Sequence, residues 1–150
     1  MEKLLHYVWM HKLLPSRSLA TTDGTEIEIL DPGQHNGNQG PDFLNARIRV
    51  DGMVWAGNVE IHSCASDWNR HRHHTDPVFN TTILHVVEHA DAEIRTESGL
   101  AVPQVIITVP QEVKDNYEEL LRTTDYPRCH KFVPGIEPIK AHSWFDSLLA

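Results

Sequence analysis

Three residues in one short stretch carry side chains suited to metal-dependent hydrolysis: Asp42, Glu60 and His62. Two facing carboxylates repel unless a cation lies between them, and hard divalent cations take carboxylate oxygens while keeping several waters. Such an ion lowers the pKa of a bound water and neutralises charge on a phosphoryl oxygen. Imidazole titrates near working pH, so His62 is suited to hold or deprotonate the attacking water. The backbone carbonyl of Ile61 is a further candidate metal ligand.

These side chains meet only if one β-hairpin brings them to a common face. The sequence predicts a strand over 43–49, a reversal at Asp51-Gly52 and a return strand over 53–62. Because successive residues of a strand point to opposite faces, the length of the loop decides the outcome. A two-residue loop would put Asp42 and Glu60 on opposite faces.

A three-residue loop over 50–52, with Gly52 left-handed in a G1 bulge, pairs Arg49 with Met53 and sets Asp42 opposite Glu60. Apolar and basic positions then separate cleanly, whereas a slip of one residue would bury the arginines, so we predict this register. The site face would carry Asp42, Leu44, Ala46, Ile48, Val54, Ala56, Asn58, Glu60 and His62, with Asn45, Arg47, Arg49 and Trp55 on the other face.

The composition is that of a soluble globular protein, and 150 residues suit a single domain over 1–150. No run is long enough to span a membrane, and two cysteines make no disulfide framework, so we expect a cytoplasmic protein. The net charge of −8 argues against gripping nucleic acid by bulk electrostatics. A nuclease would therefore need local positive charge, bound metal or a missing part of the protein. Eleven histidines are the compositional oddity.

The remaining elements follow from periodicity and turn signals. We expect His6 to be solvated, because it lies off the apolar stripe of the first helix. The predicted elements are a helix over 2–14, strands over 25–30, 80–87, 93–95 and 102–109, a loop over 31–41, a helix over 111–122 and an irregular segment over 123–138. Ser143 caps a last helix whose apolar face has scarcely begun at Ala150. Residues 123–150 therefore read as the start of a C-terminal helical extension of a longer protein.

Pro41-Asp42, followed after a hairpin by Glu60-Ile61-His62, resembles the PD-(D/E)XK nuclease signature. This resemblance implies a restriction-endonuclease-like α/β core, a mixed central sheet flanked by helices. Its order of helix, three antiparallel strands, helix and strand is compatible with residues 2–87. It also implies that Asp42 and Glu60 bind Mg²⁺ or Mn²⁺. The signature ends in a lysine that helps orient the water, and His62 stands in its place here.

The chain is also similar to an uncharacterised bacterial family, domain of unknown function family 2851. The matching segments are EKLLHYVW, NQGPDFLNARI, GNVEIH, SDW and ILHVV, which together cover most of residues 1–110. The resemblance implies no established activity. Members usually continue well past the end of this chain, so a C-terminal region of its own is an expected partner.

A histidine-rich segment after the hairpin holds the only concentrated basic patch. Arg70, His71, Arg72 and His73 could contact a phosphate backbone, and His71 and His73 could add metal ligands; alternatively, the segment is a solvated loop. Asn38 could contact substrate, or could only supply turn hydrogen bonds.

Three further features have mainly structural interpretations. Ser66-Asp67-Trp68 is interpreted as a capped turn with a packed indole, and His85 as a hydrogen-bonded core histidine rather than a ligand. A zinc site from Cys64, Cys129, His130 and a loop histidine is chemically workable, although no paired ligand spacing supports it.

The sequence therefore favours a metal-dependent nuclease acting on DNA or RNA, with Asp42, Glu60 and His62 as its site. Two alternatives stay open. One is a catalytically inactive module of the same fold that binds or scaffolds a partner, and the other is a histidine-rich metal-binding protein.

Overall fold

The computed structural model describes residues 2–14 and 18–124. The chain divides into two compact units, Met1–Val109 and Pro110–Ala150. The first unit contains α1 (Glu2–Met10), β1 (Ser18–Ala20), β2 (Glu26–Asp31), β3 (Gln34–His35), β4 (Phe43–Val50), β5 (Met53–Cys64), α2 (Asp67–Arg70), 3-10 turns at His73–Thr75 and Pro77–Thr81, β6 (Thr82–His89) and β7 (Gln104–Ile106). The described part of the second unit holds α3 (Gln111–Arg122). Cys129, His130 and the helix predicted after Ser143 lie outside the described residues.

One mixed seven-stranded sheet organises the first unit, in the order β1-β2-β4-β5-β6-β7, with β3 also pairing β4. The strands from β1 to β5 pair antiparallel, and β5–β6 and β6–β7 pair parallel. An isolated antiparallel bridge joins Thr21, just after β1, to Val105 in β7, so the sheet curls until its two ends meet. The protein is thus a mixed α/β protein with a few helices, as expected.

The hairpin turn differs from the predicted one. Val50 pairs with Met53, so the loop has two residues, and Asp51 and Gly52 have φ values of 47° and 79°. Positive φ at both central positions is the type I′ geometry that Asp-Gly favours, because its twist matches that of the flanking strands. The predicted three-residue loop with a bulge at Gly52 is therefore wrong.

The bulge lies in the middle of β4 instead. Ala46 pairs with Gly57 but Phe43 pairs with Val59, so one extra residue is accommodated between them. Asn45 has φ 57°, a left-handed conformation that asparagine tolerates better than most residues. Its N–H, displaced from the ladder, donates to Asn58 Oδ1 at 3.3 Å. This shift of one residue brings Asp42 next to Glu60, as predicted, although the bulge at Asn45 causes it and not the turn.

The bulge also changes which side chains of the hairpin lie on the core face. Ile48 pairs with the half-buried Trp55, and Arg49 pairs with the exposed Val54. Trp55 therefore lies on the core face and not beside the arginines, which corrects the predicted distribution. The alternation between buried and exposed residues shifts by one position across the bulge: Phe43 is buried before it, and Ala46 and Ile48 are buried after it.

Most other predicted elements form, with shifted ends. The strand predicted over 25–30 is β2, that over 80–87 is β6, and the helix over 111–122 is α3 with the same bounds. The first helix ends at Met10 and buries Leu4, Leu5, Val8 and Trp9 of the predicted stripe. Leu13, the fifth predicted member, lies beyond the helix and is exposed, so the prediction is wrong there. The strand predicted over 93–95 is only a single bridge from Arg95 to Ala101, and that over 102–109 shortens to β7. Two short strands, β1 and β3, were not predicted, and β3 lies in the predicted loop.

Gly33 packs against the bulge and provides a test of it. Its φ is +87°, and an added β-carbon would lie 2.6 Å from the carbonyl oxygen of Leu44 and 3.0 Å from the nitrogen of Ala46. Gly33→Ala should therefore lower the free energy of unfolding by about 3 kcal/mol, through left-handed strain and backbone overlap together. Urea unfolding measures this change.

Gly24→Ala is the matched control. Gly24 has nearly the same φ, +90°, but has no atom within 4 Å of an added β-carbon. Gly24→Ala should lower the free energy of unfolding only through the strain of a left-handed backbone, by about 1–2 kcal/mol. Equal losses in the two variants would show that the close approach to the bulge contributes nothing.

None of the helices in the described part of the chain is long and apolar enough to cross a membrane.

Candidate metal centre

Asp42 and Glu60 are locked together by two hydrogen bonds that involve the backbone. The Asp42 N–H donates to Glu60 Oε2 at 3.0 Å, and the Ile61 N–H donates to Asp42 Oδ2 at 2.9 Å. Glu60 lies within β5, and Asp42 lies in the bend directly before β4, where the β5 backbone holds its carboxylate. Both keep their other oxygen, Asp42 Oδ1 and Glu60 Oε1, outside these bonds.

Glu60 is buried, with 4% of its surface exposed. Burial raises the pKa of its carboxyl group, and the negative charge of Asp42 adds to this effect, while the neighbouring His73 partly offsets it. Glu60 Oε1 lies 3.1 Å from His73 Nε2 and 3.5 Å from His62 Nε2. The ionised form of a buried carboxylate is stabilised by a positive charge beside it, from a protonated imidazole or from a bound cation.

His6 of α1 approaches Asp42 from the helix. Its Nε2 lies 3.3 Å from Asp42 Oδ2, and its ring packs on Phe43 and His35. Burial lowers the pKa of His6, but the hydrogen bond to Asp42 and the charge of Asp42 outweigh burial, so the pKa is raised above its ordinary value. The expectation that His6 is merely solvated is wrong.

His62 is held by a second buried histidine. His62 Nδ1 lies 2.8 Å from His85 Nε2, and both rings are almost fully buried. Burial, followed by the charges of neighbouring histidines, lowers the pKa of each to about 3, so both are neutral at working pH. His85 is the hydrogen-bonded core histidine that the sequence predicted, and its partner is the candidate site itself.

The segment after β5 adds two more imidazoles. His71 Nδ1 lies 3.1 Å from His62 Nε2, and the His73 ring stacks on that of His62 with centroids 5.3 Å apart. Arg72, between them, has φ 64°, which bends the chain so that both neighbours face His62. Non-glycine residues adopt this conformation at a cost, and such strain is common at functional sites.

The predicted turn at 66–68 supports this segment. The Trp68 indole is fully buried, donates from Nε1 to the Arg95 carbonyl at 2.9 Å, and contacts the rings of His73 and His85. The packed indole is therefore confirmed. The cap is not, since the Ser66 hydroxyl donates to Asp91 Oδ2 and makes no capping bond.

Together, three imidazoles can hold a metal ion. One ligand nitrogen from each of His62, His71 and His73 lies within 4.8 Å of the other two. His62 is buried, His73 partly buried and His71 exposed, so the group opens to solvent on one side.

The structure gathers some of the predicted site residues and leaves others apart. Asp42, Glu60, His62, His71 and His73 converge, as the contacts above show. Arg70 is ion-paired with Asp67. The side chain of Arg72 is exposed, and the backbone N–H of Asn38 donates to Asn36 Oδ1 at 3.0 Å in a turn. The ligand role of the Ile61 carbonyl and the catalytic roles of all these residues stay predictions.

Sequence reasoning missed His6 as a member of the site and missed the contact of His85 with His62. The position of His6 off the apolar stripe indicated solvent, because the stripe alone does not show that the helix edge faces Asp42. His85 carried a usable signal: an imidazole in an apolar strand needs a polar partner. His85 lies in β6, which pairs parallel with β5, and His62 in β5 is that polar partner.

Comparison with known proteins identifies a family but no activity. A family model described as "Protein of unknown function (DUF2851)" matches residues 2–150. No curated protein and no solved structure matches the chain. What the site does must therefore be argued from its own chemistry.

Proposed function

The chain belongs to the DUF2851 family of proteins of unknown function, and we propose that it is a metal-dependent phosphodiesterase that cleaves DNA or RNA. The observation that carries this proposal is the convergence of Asp42, Glu60 and His62 at the open end of the β4–β5 hairpin. The element order, with a helix, an antiparallel meander, short helices and a parallel strand, supports the PD-(D/E)XK resemblance.

The electrostatics of the acid pair favour a cation. Glu60 is buried beside a second carboxylate, and burial together with that charge raises its pKa. A divalent ion would relieve the repulsion, lower the pKa of a bound water and neutralise charge on a phosphoryl oxygen. Mg²⁺ and Mn²⁺ are the ions that carboxylate oxygens favour.

The imidazoles divide into two kinds. His62 has a pKa of about 3, so it is a weak base but a neutral ligand at every working pH. His6 has a raised pKa and contacts Asp42, so it holds a proton more readily than His62 and is better suited to proton transfer. We therefore assign His62 to metal binding and His6 to proton transfer.

Substrate would approach from the exposed side of the segment after β5. Arg70 is ion-paired with Asp67, whereas Arg72 is exposed and follows directly after His71, which contacts His62. The positive charge of Arg72 would favour a phosphate there despite the net charge of −8.

Cleavage assays on single- and double-stranded DNA and RNA, with Mn²⁺ or Mg²⁺ added, test the proposal. Asp42→Asn and Glu60→Gln should each reduce the cleavage rate by about 10²–10³-fold, because each removes charge that holds the metal while keeping the shape. Asp51→Asn is the matched control, since Asp51 is an exposed carboxylate at the turn end of the same hairpin.

Two outcomes would contradict the proposal. Cleavage that survives in Asp42→Asn at the wild-type rate would come from a contaminant or another site. A folded wild-type protein that cleaves none of these substrates with either metal would instead favour the inactive binding module.

A further inference from the structure

We propose that His62, His71, His73 and Glu60 form a four-coordinate site for a transition-metal ion of the Zn²⁺ and Co²⁺ class. The inference goes beyond the proposed function, because it concerns a second class of ion held by four protein ligands and does not depend on cleavage of nucleic acid. Binding of the ion itself follows from the geometry of four side chains.

The first argument is the spacing of the ligand atoms. Ligands about 2.0–2.1 Å from a tetrahedral zinc ion lie about 3.3 Å from one another. The His71 Nδ1–His62 Nε2 distance is 3.1 Å, the His62 Nε2–Glu60 Oε1 distance is 3.5 Å, and the Glu60 Oε1–His73 Nε2 distance is 3.1 Å. Three edges of a tetrahedron are therefore present before any ion is added.

The second argument is the poor hydrogen-bond geometry of a buried nitrogen. His73 Nε2 is buried and lies 3.1 Å from Glu60 Oε1, but the pair lacks the alignment of a good hydrogen bond. Buried polar atoms normally make well-aligned bonds, so this poor alignment needs an explanation. A metal ion at the centre of the four ligands provides this nitrogen with a partner and also neutralises the buried carboxylate.

The third argument is the chemistry of the ligands. Three imidazole nitrogens with one carboxylate oxygen suit Zn²⁺, Co²⁺ and related ions, whereas Mg²⁺ prefers oxygen ligands and keeps several waters. His71 is exposed, which leaves a route for the ion to enter. This preference differs from the Mg²⁺ that the carboxylates alone would indicate.

The ligands are also held in place from behind. His62 Nδ1 faces the buried His85 Nε2 at 2.8 Å, an arrangement that fixes the ring and leaves His62 Nε2 directed at the site. Outer hydrogen bonds of this kind orient metal-binding histidines. The left-handed Arg72 does the same for the loop, because it turns His71 and His73 to one side. Both features are expected of a site that is preorganised for an ion.

Isothermal titration of the metal-stripped chain with Zn²⁺, Co²⁺ and Mg²⁺, combined with the visible absorption of bound Co²⁺, tests the inference. The wild-type chain should bind one equivalent of Co²⁺ with the intense bands of four-coordinate nitrogen and oxygen ligation. The spectrum should lack the near-ultraviolet band that a thiolate adds, since no cysteine is among the four proposed ligands. Zn²⁺ should displace Co²⁺, and Mg²⁺ in large excess should not.

His71→Ala is the decisive variant, because His71 is exposed and its loss should not prevent folding. It should weaken Co²⁺ binding by at least about 10–100-fold and change the spectrum. His74→Ala is the matched control: His74 is an exposed histidine of the same segment outside the triad, and its removal should change neither.

The inference is overturned if the wild-type chain binds no Co²⁺, if a thiolate band is present, or if His74→Ala weakens binding as much as His71→Ala does. Failure of the proposed function looks different. A chain that binds Co²⁺ through His71 and yet cleaves no nucleic acid keeps this metal site and loses the nuclease.

Discussion

Replacing Trp68 by alanine is expected to lower the free energy of unfolding by about 3–5 kcal/mol. The indole is fully buried in a cluster with Phe79, Ile94 and Val102, and its Nε1 donates to the Arg95 carbonyl. The substitution removes this packing and leaves a cavity that the surrounding strands and short helices can fill only in part. Urea unfolding, followed by far-ultraviolet circular dichroism, measures the loss.

The same substitution should also weaken metal binding. The Trp68 ring contacts those of His73 and His85, with centroids 5.3 Å and 5.4 Å away, so the cavity would free both rings to move. Trp68→Phe is the control, because it keeps an aromatic ring there and loses mainly the part-buried indole hydrogen bond, worth about 0.5–1.5 kcal/mol. Similar stability losses in the two variants would show that the volume of the indole is not what matters.

Acidification of the metal-free chain should destabilise it through the buried histidine pair. His62 and His85 have a pKa of about 3 when folded, against about 6.5 in an unfolded chain. Between these values the unfolded chain binds more protons, so stability falls as the pH is lowered. Each group contributes about 1.4 kcal/mol per pH unit across this window.

A difference measurement isolates this contribution. Glu60 acts in the opposite sense, since its raised pKa lets the folded chain take up a proton more readily than the unfolded chain. His85→Gln keeps an amide near His62 Nδ1 but cannot titrate, so its free energy of unfolding should fall less steeply from pH 6 to pH 4, by about 1.4 kcal/mol per pH unit. Urea unfolding at several pH values with a chelator gives both slopes. Parallel slopes would mean that His85 is not kept neutral by the fold.

The sequence was sufficient to predict the hairpin because its signals are local. Asp51-Gly52, alternating residues and flanking turn signals specify two strands and a reversal. The location of the bulge is not local in this sense. Asn45 leaves the ladder because Asn58 accepts its N–H and Gly33 approaches closely, and neither contact can be read from the alternation within β4.

The candidate site shows the same division. The meeting of Asp42 and Glu60 was predicted, but from a three-residue turn that does not form, and the bulge at Asn45 produces it instead. His6 and His85 reach the site from α1 and β6, so their roles depend on how separate elements pack. His71 and His73 could be proposed as ligands from composition, but their approach to His62 depends on the left-handed Arg72.

The bridge between Thr21 and Val105 bears on how the protein behaves at high concentration. Unpaired strand edges are the templates on which sheets of different molecules join and aggregate. Here the two terminal strands of the sheet, β1 and β7, have three residues each and meet at that bridge. In the described part of the chain, these two terminal strands therefore present little backbone of their own for a second molecule to extend, so the curl of the sheet disfavours intermolecular strand addition at β1 and β7.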